Sequence, residues 1–169
     1  MFASWKKTAS FLSAAALLGA SATLAQAQDH QHSHAHEKPA QLTLNNGKKW
    51  VADDNLRQGM SLIRDALSAE LPAIHSGQAT AEQYRALAQK TNDQIAFIVK
   101  NCKMEQKMDA VLHLVLADII AGSDAMMAKG GNDARHGAEK IAKALDNYGA
   151  YFEHPGWHGA AHNHSKTKK

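Results

Sequence analysis

Histidine is unusually frequent in this chain, at 11 of 169 residues. Four histidines alternate with other residues between two carboxylates, and four more lie close together near the carboxyl end. Imidazole is a preferred ligand of copper, nickel and zinc, and a His-rich tract predicts metal binding on its composition alone. The alternative is a solvated polar segment whose histidines bind nothing. The predicted metal ligands are His30, His32, His34, His36, His154, His158, His162 and His164.

A thiol and two thioethers near the middle of the chain form a second candidate site. Cys102, Met104 and Met108 offer the soft sulfur donors that select Cu(I). The same residue types at helical spacing are common core residues, so packing is the competing interpretation. His113 lies in an apolar stretch and is predicted to be a hydrogen-bonded helix residue rather than a ligand. The single cysteine excludes a disulfide framework and a cysteine-rich zinc site.

Residues 1–27 have the pattern of a secretory signal peptide. Lys6 and Lys7 form a short basic region, residues 11–25 are apolar and uncharged, and Ala25-Gln26-Ala27 is a small-x-small cleavage pattern. The apolar run is too short for a stable membrane span. Removing the two lysines brings the net charge close to zero, which disfavours nucleic acid as a partner. The sequence therefore predicts a soluble periplasmic or secreted protein with no membrane association after cleavage.

The predicted cleavage point creates a candidate site at the new amino terminus. Cleavage after Ala27 places His30 third in the mature chain, behind Gln28 and Asp29. The terminal amine, two backbone amides and the imidazole then surround one ion in a plane, which suits Cu(II) or Ni(II) and not Zn(II). Cleavage after Ala25 removes this geometry, and cyclisation of Gln28 removes the amine. This prediction therefore depends on the processing of the chain.

Four segments of the chain carry apolar residues at the three- and four-residue spacing of amphipathic helices. Asp53 or Asp54 is predicted to cap the first helix and Ser76-Gly77 to end it. Thr80 and Gln83 form a capping box for the second helix. The predicted apolar faces are Leu56, Met60, Ile63, Leu67, Leu71 and Ile74; Tyr84, Leu87, Thr91, Ile95, Ile98 and Cys102; Met108, Val111, Leu112, Val115, Ile119, Gly122 and Met126; and Ala138, Ile141, Leu145, Tyr148 and Phe152.

The boundaries of the later helices are marked by glycine, proline and capping residues. Residues 101–104 are predicted to form a short break between the second and third helices, and Gly130-Gly131 is predicted to end the third. Asn132 or Asp133 is predicted to cap the fourth helix, and Pro155-Gly156 to end it.

The predicted fold class is all-α: an up-down-up-down four-helix bundle with disordered His-rich amino- and carboxyl-terminal tails. Behind the signal peptide, residues 28–49 form a His-rich polar tail, 50–156 the bundle, and 157–169 a His- and Lys-rich tail. This topology brings the start of the first helix and the end of the fourth helix to the same end of the bundle. The end of the second helix and the start of the third lie there too. The topology therefore predicts that Cys102, Met104, Met108 and His154 lie at one end of the bundle, close to both histidine tails.

The segment from Leu56 to Ile63, the four-helix layout and the closing Tyr148–Tyr151 stretch resemble the small soluble periplasmic b-type cytochromes. The resemblance implies a haem at one end of the bundle, held by a methionine early in the first helix and a histidine near the end of the fourth. Met60 matches the first ligand. The nearest match to the second is His154, which lies past the expected turn. No Cys-x-x-Cys-His motif is present, so covalent haem attachment is excluded.

Motifs of the common enzyme classes are missing from the sequence. It contains no G-x-S-x-G, no H-E-x-x-H and no glycine-rich phosphate loop, and its helices offer no Glu-x-x-His pair for a di-iron site. The sequence therefore predicts a non-enzyme that binds or buffers copper, or else zinc or nickel. The alternatives are an electron carrier with non-covalent haem and a non-catalytic partner-binding or sensor bundle.

Overall fold

The computed structural model describes residues 41–128 and 131–160, and for Gly131 and Asn132 the backbone alone. Four helices of similar length make up most of this part of the chain, which confirms the predicted helical bundle. One short strand precedes the helices and another follows them. In chain order the elements are β1 (Trp50–Val51), α1 (Asp54–His75), α2 (Ala81–Asn101), α3 (Gln106–Met127), α4 (Gly131–Tyr151) and β2 (Phe152–Glu153).

The predicted caps hold the first two helices at their amino ends. The Asp53 carboxylate accepts a hydrogen bond from the backbone N–H of Leu56 at 2.7 Å. In the capping box, the backbone N–H of Gln83 donates to the Thr80 hydroxyl at 3.2 Å, and the Thr80 N–H donates to the Gln83 side chain at 2.9 Å. These bonds satisfy amide groups that have no partner within the helix. Both predictions are therefore confirmed.

The core is built from the predicted apolar faces, of which Cys102 alone remains half-buried. The backbones of α3 and α4 approach closely where the two helices cross, because two glycines face each other there. A Cβ atom on Gly122 would lie 2.5 Å from the Gly137 carbonyl oxygen, and the reverse distance is 2.4 Å. The two backbones touch at this crossing, so a side chain at either position must push the helices apart.

The junction between α3 and α4 differs from the prediction. α3 ends at Met127, with Ala128 as its C-terminal cap, and α4 already begins at Gly131. Asn132 and Asp133 are therefore the second and third residues of the helix, and the prediction that one of them caps it is wrong. A carboxylate within the first turn still interacts favourably with the positive end of the helix, so Asp133 suits either position.

A short parallel strand pair links the segment before α1 to the segment after α4 and was not predicted. Trp50 pairs with Phe152, and Val51 pairs with Glu153. Two residues are too few for a strand periodicity, so the sequence carries no signal for this pairing. α4 accordingly ends at Tyr151, four residues before the predicted stop at Pro155-Gly156.

Parts of both predicted tails pack on the bundle. Leu42 is half-buried against the core, and the Trp50 indole N–H donates to the Thr43 carbonyl at 2.7 Å. At the other end Ala160 is buried, and its carbonyl accepts a hydrogen bond from Ser68 at 3.3 Å. The packed domain thus extends beyond the predicted bounds of 50 and 156. Residues 28–40 and 161–169 of the predicted tails lie outside the described residues.

By length and composition, α3 qualifies as a helix able to cross a membrane, with a mean hydropathy of 1.6 over its best window. Within the described residues it is the one helix that does so. Most of its large apolar side chains lie in the bundle core, including Val111, Leu112, Val115 and Ile119. Its composition is therefore explained by packing between neighbouring helices.

Candidate functional site

His154 lies directly after β2, and α1 and α4 hold it from two sides. Its Nδ1 is 3.0 Å from the Tyr148 hydroxyl on α4, and its Nε2 is 3.3 Å from the Ser61 hydroxyl on α1. Both nitrogens of the imidazole are therefore engaged within the protein. We call Ser61, Arg64, Tyr148, His154 and Trp157 the His154 cluster.

Trp157 packs against this histidine and closes the cluster. Its ring centroid lies 4.8 Å from that of His154 and 4.7 Å from that of Tyr148. Gly149 makes room for the indole, since a Cβ there would lie 2.5 Å from the ring. The Arg64 guanidinium sits over the indole at 5.1 Å, a cation–π distance. The segment after β2 is thus anchored between α1 and α4 by aromatic packing.

The surroundings of His154 favour its neutral form. Burial lowers the pKa of this imidazole, and the positive charges of Arg64 and Arg57 lower it further. Burial also raises the pKa of the Tyr148 phenol, which therefore stays protonated at neutral pH. The contact between the two rings is a hydrogen bond between neutral groups.

This arrangement predicts a loss of stability on acidification. The folded-state pKa of His154 lies below that of an unfolded histidine, about 6.5, so the unfolded chain binds more protons as the pH falls past that value. The stabilisation is present above about pH 6.5 and is lost as the pH falls toward the folded-state pKa. Denaturant unfolding between about pH 8 and about pH 5 measures it. His154→Gln is expected to flatten this dependence relative to wild type, whereas the exposed control His75→Gln leaves it unchanged; equal slopes in all three proteins contradict the prediction.

The His154 cluster does not fit the haem ligation implied by the resemblance. Met60 is fully buried within the core cluster, where its side chain packs among neighbouring apolar residues. Both ring nitrogens of His154 already contact hydroxyl groups of the protein. A haem between these two residues requires the cluster to be dismantled, so we derive no chemistry through it.

The predicted histidine ligands are distributed between described and undescribed parts of the chain. Within the described part, His158 is exposed and His154 is held in its cluster. Among residues 41–128 and 131–160, no three His, Cys, Asp or Glu side chains form a group able to hold a metal ion. The remaining predicted ligands lie outside the described residues: His30, His32, His34, His36, His162 and His164.

The sulfur donors are only partly brought together. Cys102 caps the end of α2 and Met104 lies in the connection to α3; both line one groove. Met108 is buried in the core and is not among the residues that line it. His113, which the sequence placed as an ordinary helix residue, does line the groove. Burial and the neighbouring Asp53 carboxylate raise the pKa of the Cys102 thiol to about 12.

Comparison of the chain with family models, with curated proteins and with solved structures finds no match. The structure supports the resemblance to the b-type cytochromes only at the level of a bundle of four helices.

Proposed function

We propose that the mature chain is an exported protein that binds or buffers a transition metal, copper first and zinc or nickel next. The observation that carries this proposal is the concentration of histidine, since eight of the 11 lie in residues 30–36 and 154–164. The proposal places the protein in the periplasm or the extracellular space, because the pattern of residues 1–27 is that of a cleaved signal peptide. The proposed scaffold is an up-down-up-down bundle with disordered His-rich tails.

The described residues support a proposal in which the bundle provides the folded scaffold and the tails bind the metal. The bundle holds a well-packed apolar core and no group of three ionisable ligands within its described part. We therefore assign the metal binding of the proposed function to the histidine-rich segments that precede and follow the bundle. His158 contributes an exposed imidazole, whereas the His154 imidazole is hydrogen-bonded to Tyr148 within the domain. The proposed ligand set is accordingly His30, His32, His34, His36, His158, His162 and His164.

Histidine-rich segments of this composition bind metal without a preformed site. Several imidazoles on one short stretch can wrap around a single ion, and in an extended chain alternate residues share a side at roughly 6.6 Å spacing. Binding requires neutral imidazole, so affinity falls as the pH drops below about 6.5. Such a segment suits buffering better than tight selection of one metal, because imidazole accepts copper, nickel and zinc alike.

Calorimetric titration of the mature chain with Cu(II), Ni(II) and Zn(II) tests this function. A variant with His30, His32, His34 and His36 all changed to alanine is expected to lose about half of the bound equivalents, since these are four of the seven proposed ligands. The matched control changes the exposed His75 and His136, which lie on the helices, and is expected to bind as wild type does. Equal stoichiometry in the wild type and the four-histidine variant contradicts the proposal.

A further inference from the structure

The groove between α2 and α3 carries three types of metal-binding side chain on its walls. It has a volume of about 460 Å³ and is open to solvent on one side. The end of α2 contributes the Cys102 thiol, the connecting segment the Met104 thioether, and the second turn of α3 the His113 imidazole. Cys102 and Met104 are half-buried and His113 is exposed, so an ion in solution can reach all three.

A hydrogen bond to the backbone leaves the Nε2 atom of the neutral His113 ring available to a metal. Its Nδ1 lies 2.9 Å from the backbone carbonyl oxygen of Asp109. Because a carbonyl oxygen cannot donate, the Nδ1 atom must carry the proton of this bond. The lone pair of the neutral ring is then on Nε2, which is free to coordinate. Metal-binding histidines commonly donate their other ring N–H to a carbonyl or carboxylate in this way.

We propose that this groove binds one Cu(I) ion through the Cys102 sulfur, the Met104 thioether and the His113 Nε2. A thiolate and a thioether together select a soft monovalent ion, and imidazole completes a three-coordinate set. Met104 is unbranched and rotates about three bonds, so it can adjust to the ion without movement of the helices. The site lies on the bundle and uses none of the tail histidines, so it stands apart from the proposed function.

The charges around the groove decide how the ion replaces the thiol proton. The Asp53 carboxylate, the cap of α1, accepts the Lys103 backbone N–H at 3.2 Å, and burial together with this nearby negative charge raises the pKa of the Cys102 thiol. Lys103 and Asp109 also line the groove and oppose one another in charge. When Cu(I) binds, the S–H bond breaks, the sulfur keeps the electron pair that it donates to the metal, and the proton leaves to solvent. No electron is transferred, because copper enters and remains as Cu(I).

Competition against the Cu(I) chelator bicinchoninate, without oxygen and with the full mature chain, tests the site. Wild type is expected to withdraw one equivalent of copper. Cys102→Ser and His113→Ala are each expected to weaken binding by about 10–100-fold, the scale on which single changes around a metal act. Met108→Leu is the control for a core methionine. His136→Ala is the control for an exposed helical histidine whose Nδ1 is 3.1 Å from a carboxylate oxygen of Glu139.

Three further measurements separate the possible outcomes. Between about pH 7 and about pH 9, above the ordinary pKa of histidine, loss of one thiol proton makes the apparent affinity rise about tenfold per pH unit. The four-histidine tail variant is expected to keep this Cu(I) equivalent even where it loses Cu(II), so the two proposals fail separately. Circular dichroism identifies any variant that has unfolded, and Cys102→Ala then replaces Cys102→Ser. A wild type that takes no copper from the chelator, or variants that match it, overturns the proposal.

Discussion

Changing Tyr148 to alanine is expected to lower the free energy of unfolding by about 3–5 kcal/mol, the range for a large aromatic residue removed from a core. The side chain is fully buried, and its ring stacks on Phe152 with centroids 5.2 Å apart. It also supports Trp157 and hydrogen-bonds to His154. The change therefore leaves a cavity and loosens the segment after β2. Denaturant unfolding followed by circular dichroism measures the loss.

A matched variant separates the ring from its hydroxyl. Tyr148→Phe keeps the packing and removes the hydrogen bond to His154, so it is expected to cost about 1 kcal/mol. The expected order is thus wild type, then the phenylalanine variant, then the alanine variant. An alanine variant as stable as the phenylalanine variant would show that this ring does not anchor the end of the bundle.

Changing His30 to alanine is expected to weaken Cu(II) binding at the mature amino terminus by about 10²–10⁴-fold. The imidazole is the fourth donor of a chelate whose other three are the terminal amine and two amides, and it binds at the high effective concentration of a tethered group. Planar coordination by four nitrogens gives a characteristic visible absorption band, which titration follows. Because the amides lose their protons on binding, the band is expected to grow with rising pH.

His32→Ala is the control for this experiment, since His32 stands fifth from the predicted terminus and outside the planar set. Mass spectrometry of the mature chain must first show that it begins at Gln28 with a free amine. A terminus at Gln26, a pyroglutamate at Gln28, or equal affinities of wild type and His30→Ala each contradict the terminal site. The broader role of the histidine tails does not depend on that result.

Much of the fold follows from local sequence signals. The cap at Asp53 and the capping box at Thr80 and Gln83 are side-chain-to-backbone bonds made within four residues, so the sequence alone predicts them. All residues of the four predicted apolar faces except Cys102 are buried, because only one side of each helix can face the core. The small or additional buried residues Ala88, Leu116 and Ala144 were not among them.

The features that sequence analysis missed depend on contacts between distant residues. Trp50 pairs with Phe152, from which it is separated in the chain by all four helices, and Trp157 fits against Gly149 because that residue has no side chain. Neither contact leaves a periodic pattern. Residues 157–160 were assigned to a polar tail on composition, whereas the packing of Trp157 and the burial of Ala160 hold them to the domain.

For the candidate sites too, the sequence did not predict contacts between residues that are distant in the chain. Composition marks the histidine segments but does not distinguish His154, whose two hydrogen bonds come from α1 and α4. Spacing grouped Met108 with Cys102 and Met104, yet helical geometry turns Met108 into the core. The groove brings His113 to the sulfur donors instead, across the connection between α2 and α3. Residue type thus suggests the chemistry, and the packing of the helices decides which residues share a site.

The central claim is that the His-rich segments bind a transition metal in the cell, and metal analysis of the protein isolated from its own compartment tests it most directly. The wild type and the variant lacking His30, His32, His34 and His36 are purified side by side without added metal or chelator. The account predicts copper in the wild type, at one equivalent or more, and a clear reduction in the variant. A wild type that carries no copper, zinc or nickel above the buffer, or a variant with the same metal content, contradicts it.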